Sequence, residues 1–143
     1  MTCDIRSLDI NDYAEAATLW ARCSGLAPAP SQEDLRRFLA HNPDLSVAAQ
    51  GSGGLVGLLL VSYDGMRGHL SRLAVDPDAR RQGIARALVD AAVHRLQQRG
   101  AKRCHLLVYG DNHQAMAFWR ATGWEHYPSV EMWGRRLDEA QTG

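Results

Sequence analysis

The sequence predicts an α/β fold of mixed type: a mostly antiparallel sheet of six to seven strands flanked by about four helices. Two observations carry this. Residues 45–75 hold three strand-like apolar runs separated by two glycine-bearing turns, which is the pattern of an antiparallel meander. The periodicity then changes to a helical one over 84–99, and a new strand-like run follows at 103–108. A parallel partner for the meander needs a crossover of that kind, and this helix is the only convincing one.

The elements follow in order. Residues 4–8 read as a short first strand. Asn11 can cap a helix in which Ala14, Ala17, Leu19, Trp20 and Cys23 fall at helical spacing, ended by Gly25 and the prolines at 28 and 30. Ser31 caps a second helix that closes near Asn42-Pro43. Strands are expected at 45–50, 55–63 and 69–75, joined by Gly51-Ser52-Gly53-Gly54 and Asp64-Gly65-Met66-Arg67-Gly68. In the third helix Ile84, Ala85, Leu88, Val89, Ala92 and Leu96 make one apolar stripe, while Arg86, Asp90, Gln97 and Gln98 face out. Gly100 stops it. A strand at 103–108 leads to a helix capped by Asp111 or Asn112 and ended by Gly123. Residues 124–127 and 129–136 read as a closing hairpin, and the tail from Asp138 as frayed. No repeat, linker or low-complexity segment interrupts the chain, so a single domain over 1–143 is expected.

Composition excludes several classes of function. The chain has 143 residues, 45% of them hydrophobic and 22% charged, with sixteen basic side chains balanced by sixteen acidic ones. A neutral balance offers no global field for nucleic acid. The longest apolar run, 55–61, is far too short to cross a bilayer, and the first residues lack the pattern of a signal peptide. Three widely spaced cysteines, Cys3, Cys23 and Cys104, read as reduced thiols in a cytoplasmic protein. The histidines show no metal-ligand spacing, so no metal is expected.

The most informative stretch is Arg80-Arg81-Gln82-Gly83-Ile84-Ala85, set between an apolar strand and a helix start. Consecutive N–H groups at a helix N-terminus suit a phosphate, and the helix dipole favours the anion. A side chain at Gly83 would obstruct a pyrophosphate, while Arg80, Arg81 and Arg86 add charge that grips phosphate in bidentate fashion. The same residues also read as an ordinary helix start with solvated arginines. The turn is neither a Walker A loop nor a dinucleotide fingerprint.

Placed after Leu73-Ala74-Val75-Asp76-Pro77, the segment resembles the acetyl-CoA motif of the GNAT superfamily of N-acetyltransferases, Gln/Arg-x-x-Gly-x-Gly/Ala, here Arg80, Gly83 and Ala85. A second match lies downstream. The family pattern Asn-x-x-Ala-x-x-x-Tyr-x-x-x-Gly-Phe meets Asn112, Ala115, Trp119, Gly123 and Trp124. The likeness covers nearly the whole chain. It is nearest to the small single-domain bacterial members of the YpeA type, which share a turn like Tyr63 to Gly68.

The resemblance implies specific roles. Backbone amides at Leu73, Ala74 and Val75 would bond the pantetheine arm and acetyl carbonyl of acetyl-CoA. The turn amides of Arg81, Gln82, Gly83, Ile84, Ala85 and Arg86, with Arg80 at the head of the motif, would hold its pyrophosphate. Asn112 would bond the pantetheine from the far side, and Trp119 would flank the thiol end. The implied activity is acetyl transfer to a primary amine of a small molecule, a peptide N-terminus or a lysine. Pairing into a homodimer is compatible with the likeness.

The chain departs from the pattern at Trp119, where the family usually carries a tyrosine acid. An indole N–H donates a hydrogen bond but cannot release its proton near neutrality. Three readings stay open: Trp119 bonds the thiol sulfur and water protonates it; the chain binds acetyl-CoA as a regulatory module with little turnover; or Trp119 is core filler. For the base, the family's histone-modifying branch places a glutamate eleven residues before the motif, which here is His69. An imidazole there has an apt reference pKa, although His69 also reads as an exposed strand residue. Tyr63 and Tyr109 are further hydroxyl donors. The first two helices and the closing hairpin would line the acceptor pocket, with Trp20, Phe38 and Trp133 as lining or as core. Glu15, Glu33, Asp34 and Glu131 could attract a cation or simply face solvent.

Overall fold

The computed structural model describes residues 3–23, 26 and 28–138. It divides into two compact units, Met1–Asp111 and Asn112–Gly143, and each is described by itself.

The first unit is built on a five-stranded sheet whose spatial order follows the chain: β1 (Asp4–Ser7), β2 (Val47–Gly51), β3 (Gly54–Tyr63), β4 (Arg67–Val75) and β5 (Arg103–Leu106). The first four pair antiparallel, and β5 joins β4 in parallel. This is the expected meander followed by one crossover, with five strands among the described residues.

The first helix starts differently from the expectation. Asp9, not Asn11, is the cap: its carboxylate accepts from Asn11 N at 2.8 Å and opens a 3-10 turn, Ile10–Asp12, from which α1 (Tyr13–Arg22) continues. An aspartate two residues earlier outcompetes Asn11 because Asp12 returns the favour, accepting from Asp9 N at 2.8 Å in a capping box. The expected helix end at Gly25 lies outside the described residues. Ser31 caps α2 (Gln32–His41), its hydroxyl accepting from Asp34 N at 3.1 Å.

The two faces of the sheet are covered by different helices. Leu8, Ala16, Leu19, Trp20, Leu35, Ala48, Leu55, Leu58, Leu60 and Ala74 form one cluster, which joins α1 and α2 to one face. The other face meets α3 (Ile84–Gln98), whose Ile84, Leu88, Val89, Ala92 and Leu96 are buried, as the apolar stripe predicts; Ala85 is only half-buried. Gly57 and Gly68 let α3 approach closely. A Cβ at Gly68 would lie 2.6 Å from Leu96 Cδ1, and one at Gly57 would lie 3.0 Å from Leu88 Cδ1. Leu88 is fully buried, so Leu88→Ala is expected to cost about 3 kcal/mol and lower Tm by about 10 °C in a calorimetric scan.

The second unit holds α4 (His113–Ala121), capped by Asn112, whose Oδ1 accepts from Ala115 N at 3.1 Å. The closing hairpin is not formed: residues 124–138 contain no strand, and a single turn closes Tyr127 O onto Val130 N at 3.2 Å. Alternating apolar residues suggested the strands, but a lone two-stranded hairpin is marginal in water without a third strand to pair with. The tail expected to fray lies, beyond Asp138, outside the described residues.

Candidate active site

Two adjoining features of the first unit make a site. The first is a break in β4. Leu60 pairs with Ser71 and Leu58 with Ala74, so two residues of β4, Arg72 and Leu73, oppose one of β3. Arg72 takes up the excess with φ 55°, a left-handed conformation that costs a non-glycine residue energy and is held only where its surroundings fix it. They do so here. Trp20 Nε1 donates to the Arg72 carbonyl at 3.3 Å, the Arg72 guanidinium sits 5.6 Å from the Trp20 ring centroid, and its Nη2 donates to Pro28 O at 2.6 Å. Nothing in the local sequence signals this bulge. A strand read as continuous over 69–75 hides it.

The pairing of β5 accentuates the break. The parallel register runs from Arg67 opposite Arg103 to Leu70 opposite Leu106 and ends there. Leu73, Ala74 and Val75 therefore continue past the end of β5 with β3 on one side and no strand on the other among the described residues. They are tied from elsewhere at the far end, where Cys23 Sγ donates to Val75 O at 3.5 Å and Asp76 N donates to Val56 O at 2.8 Å.

The second feature is the turn into α3. Asp76 caps a 3-10 turn, Pro77–Ala79, accepting from Asp78 N at 2.9 Å, and Arg22 braces Asp76 at 2.7 Å. The chain then runs through Arg81 at φ 65° to Gly83 at φ 77°. Gly83 is the N-cap of α3, and no side chain caps that helix. The first-turn N–H groups of a helix need partners from outside it, and α3 carries no acidic residue in its first turn. A Cβ on Gly83 would meet nothing within 4 Å, so the space in front of the helix is open. Arg80, Arg81 and Arg86 are exposed around it. Such an end holds an anion by main-chain donors and dipole.

Leu73 to Val75 and Arg80 to Arg86 are thus brought together by chain continuity at one end of β4. His69 stands further back on the same strand, half-buried, opposite His105 of β5. Burial, and then the facing His105, hold the His69 imidazole below the ordinary histidine pKa. A histidine whose folded value is depressed favours the fold above its unfolded value near 6.5, and that contribution is lost as pH falls through the folded value. Chemical denaturation midpoints are accordingly expected to fall as pH drops below about 6.5, and to fall less in His69→Gln.

Asn112 and Trp119 belong to the second unit. Trp119 is half-buried there, its ring edge-on to Phe118 at 5.0 Å and to Trp124 at 5.3 Å between centroids. The other candidates are largely absorbed by structure. Trp20 is 3% exposed and Phe38 packs on the same cluster, so both serve the core. Tyr63 OH donates to Gly65 O at 3.0 Å, whereas Tyr109 is exposed. Glu15 accepts from Leu55 N at 2.8 Å, and Glu33 and Asp34 pair with Arg36 and Arg37. The three cysteines are unbridged, and burial raises Cys104 to about 11, so its thiol stays protonated near neutrality.

Solved structures share the fold of this chain. The chain superposes on Ard1 from Thermoplasma volcanium with TM-score 0.77 at 22% identity, covering 86% of this chain and 82% of that one. It matches AAC(6')-Iy, solved in complex with a CoA-S-monomethyl-acetylneamine bisubstrate analog, with TM-score 0.77 at 19% identity, covering 96% and 100%. In sequence it is 39% identical over 139 residues to an acetyltransferase of Sodalis glossinidius (strain morsitans), covering 96% of this chain and 98% of the relative. The model of the Acetyltransferase (GNAT) family matches residues 13–124. The chain belongs to the GNAT family and is an acyl-CoA-dependent acetyltransferase. No helix among the described residues is long and apolar enough to cross a membrane.

Proposed function

We propose that residues 1–143 work as one N-acetyltransferase domain that moves the acetyl group of acetyl-CoA to a primary amine. The acceptor is a small molecule, a peptide N-terminus or a lysine side chain, and the setting is cytoplasmic. The observation that carries the reading is the open, uncapped start of α3 behind a left-handed Gly83. The residues fit the group: the first-turn main-chain donors of α3 have no side-chain cap, and the exposed Arg80, Arg81 and Arg86 would neutralise the charge of a diphosphate. When bound, acetyl-CoA would supply an activated thioester whose acetyl carbon accepts the amine nitrogen while CoA leaves as the thiol.

The chain's own residues then divide the work. Backbone groups of Leu73, Ala74 and Val75 would bond the pantetheine arm and, next to the Arg72 bulge, offer donors to the acetyl oxygen. His69, kept neutral by burial, takes the proton that the amine loses on attack, directly or through a water. Asn112 spends its Oδ1 on the α4 cap, and its Nδ2 is the donor that the family resemblance would assign to the pantetheine. By the same resemblance, Trp119 would flank the thiol end.

One observation favours a second reading, in which the chain binds acetyl-CoA as a regulatory module with little turnover. Trp119 cannot act as a proton donor, and its ring is committed to Phe118 and Trp124. Thermal shift and thiol release separate the two. Saturating acetyl-CoA is expected to raise Tm by several degrees, and an amine panel is expected to yield at least one acceptor that releases CoA. A shift with no thiol from any amine would favour the module, and no shift at all would remove the cofactor assignment.

A further inference from the structure

The last turn of α1 is bonded to the site at three points. Trp20 Nε1 donates to the Arg72 carbonyl at 3.3 Å, Cys23 Sγ donates to the Val75 carbonyl at 3.5 Å, and Arg22 Nη1 donates to Asp76 Oδ2 at 2.7 Å. One helix end thus meets both the bulge of β4 and the head of the turn into α3. The contact from Trp20 is the one that reaches the bulge.

Trp20 is buried, and its ring belongs to the cluster that joins α1 to the sheet. Filling that space needs only an apolar ring. The indole N–H has a further requirement, since a buried donor must find an acceptor. It takes the carbonyl of Arg72, a residue held at φ 55°. In a trans peptide group the carbonyl and the N–H that follows share one plane and point opposite ways, and no cis peptide bond occurs among the described residues. The Arg72 carbonyl shares its group with the Leu73 N–H, so the bond from Trp20 also fixes where that N–H points. The register with β3 passes from Ser71 to Ala74, and the register with β5 ends at Leu70. Neither gives Leu73 a partner, so regular pairing does not set the orientation of this group. The Arg72 side chain is held from the same direction, its guanidinium 5.6 Å from the Trp20 ring centroid and its Nη2 donating to Pro28 O at 2.6 Å.

We propose that Trp20 is a positioning residue for acetyl transfer: its indole N–H, bonded to the Arg72 carbonyl, sets the plane of the 72–73 peptide group and so aims the Leu73 N–H at the acetyl oxygen. The inference rests on the reading of Leu73 to Val75 as donors to the thioester. As the amine attacks, that oxygen gains negative charge, and a donor aimed beforehand needs no reorganisation at that moment. Trp20 acts through the peptide group and not on the acetyl group itself. Anchoring of the cofactor is a separate matter, because the turn into α3 is braced by Arg22 on Asp76.

The test removes the N–H and keeps the ring. Trp20→Phe does this with some loss of volume. A second replacement, 3-benzothienylalanine at residue 20, keeps the bicyclic shape with sulfur in place of the N–H. It is installed by ligating a synthetic 1–22 segment to 23–143 at Cys23, and it answers the question where Trp20→Phe does not fold. The Leu73 amide is followed by NMR in the free protein, CoA affinity by calorimetric titration, and kcat with an amine that turns over. The expected result is a displaced Leu73 resonance with faster hydrogen exchange, a Kd for CoA within about twofold of wild type, and a kcat lower by about tenfold or more, short of the ~100-fold that outright loss of an oxyanion donor costs. Leu35→Val loosens the same cluster without removing the indole bond, and is expected to lower Tm while kcat holds. An unmoved Leu73 amide overturns the role of Trp20, whatever kcat does. A displaced amide with wild-type kcat overturns Leu73 as a donor to the acetyl oxygen, and the inference with it. A kcat that falls in step with CoA affinity, or equally in Leu35→Val, assigns the effect to general packing and overturns the proposal.

Discussion

Gly83→Trp is expected to abolish the thermal shift produced by acetyl-CoA and to weaken binding by more than about 100-fold, an effect above about 2.7 kcal/mol. The wild-type Cβ direction at Gly83 leads into open space, with nothing within 4 Å. An indole there fills the volume where main-chain donors meet the anion. The left-handed φ of 77° adds a cost of about 1–2 kcal/mol for any side chain, which predicts a Tm only a few degrees lower without ligand. That difference makes the experiment clean: calorimetry reads the fold and titration reads the site. Gly83→Ala, which shares the backbone cost but fills little space, is expected to retain most of the binding. If both variants lose it equally, strain and not occupation of the site is responsible.

The second large effect is on turnover. His69→Gln keeps the strand position half-buried and polar but removes the proton acceptor. Saturating turnover is expected to fall about 100-fold, the lower end of what a positioned base contributes, while the affinity for acetyl-CoA stays within about twofold. Stopped assays of thiol release across pH check it. The wild-type rate should decline as pH drops through the depressed pKa of His69, and the variant should lose that inflection. A variant with the wild-type profile removes His69 from the chemistry and leaves a water chain or another group as the base.

Much of the architecture was legible because local chemistry and global packing agree. The stripe from Ile84 to Leu96 faces the sheet, Ser31 and Asn112 cap the helices that follow them, and the turns at 52–53 and 64–66 fall where glycine and aspartate put them. The turn into α3 was readable for the same reason, as a glycine helix start with no side-chain cap. A glycine before a periodic helix and after a strand has few other uses. What was not legible depends on partners remote in sequence. The bulge at Arg72 is fixed by Trp20, 52 residues away, and by Pro28. No alternation of apolar residues reports that. Asp9 displaced Asn11 as a cap because Asp12 completes a reciprocal pair, a signal present in the sequence as Asp9-x-x-Asp12 but read two residues too late. The strand at 103–108 stops at Leu106, where β4 begins to bend away from regular pairing. The alternation in 129–136 looks like a strand, yet a strand is made by its neighbour, and no neighbour is encoded locally.

A proposal for the cofactor end can be drawn from local residues, whereas one for the acceptor end cannot. Main-chain donors at a helix start require only a local geometry. An amine pocket is assembled from several elements, and the aromatic residues that seemed suited to it, Trp20 and Phe38, are used to build the core and hold the bulge.

The central claim is that exposed amides at the start of α3 hold the diphosphate of coenzyme A, and a crystal structure of the chain grown with CoA tests it most directly. The account predicts diphosphate oxygens at about 2.9 Å from main-chain nitrogens between Arg81 and Arg86, with the pantetheine arm running beside Leu73 to Val75. A nucleotide bound elsewhere, or those nitrogens bonded to the protein's own carbonyls with the ligand present, would contradict it.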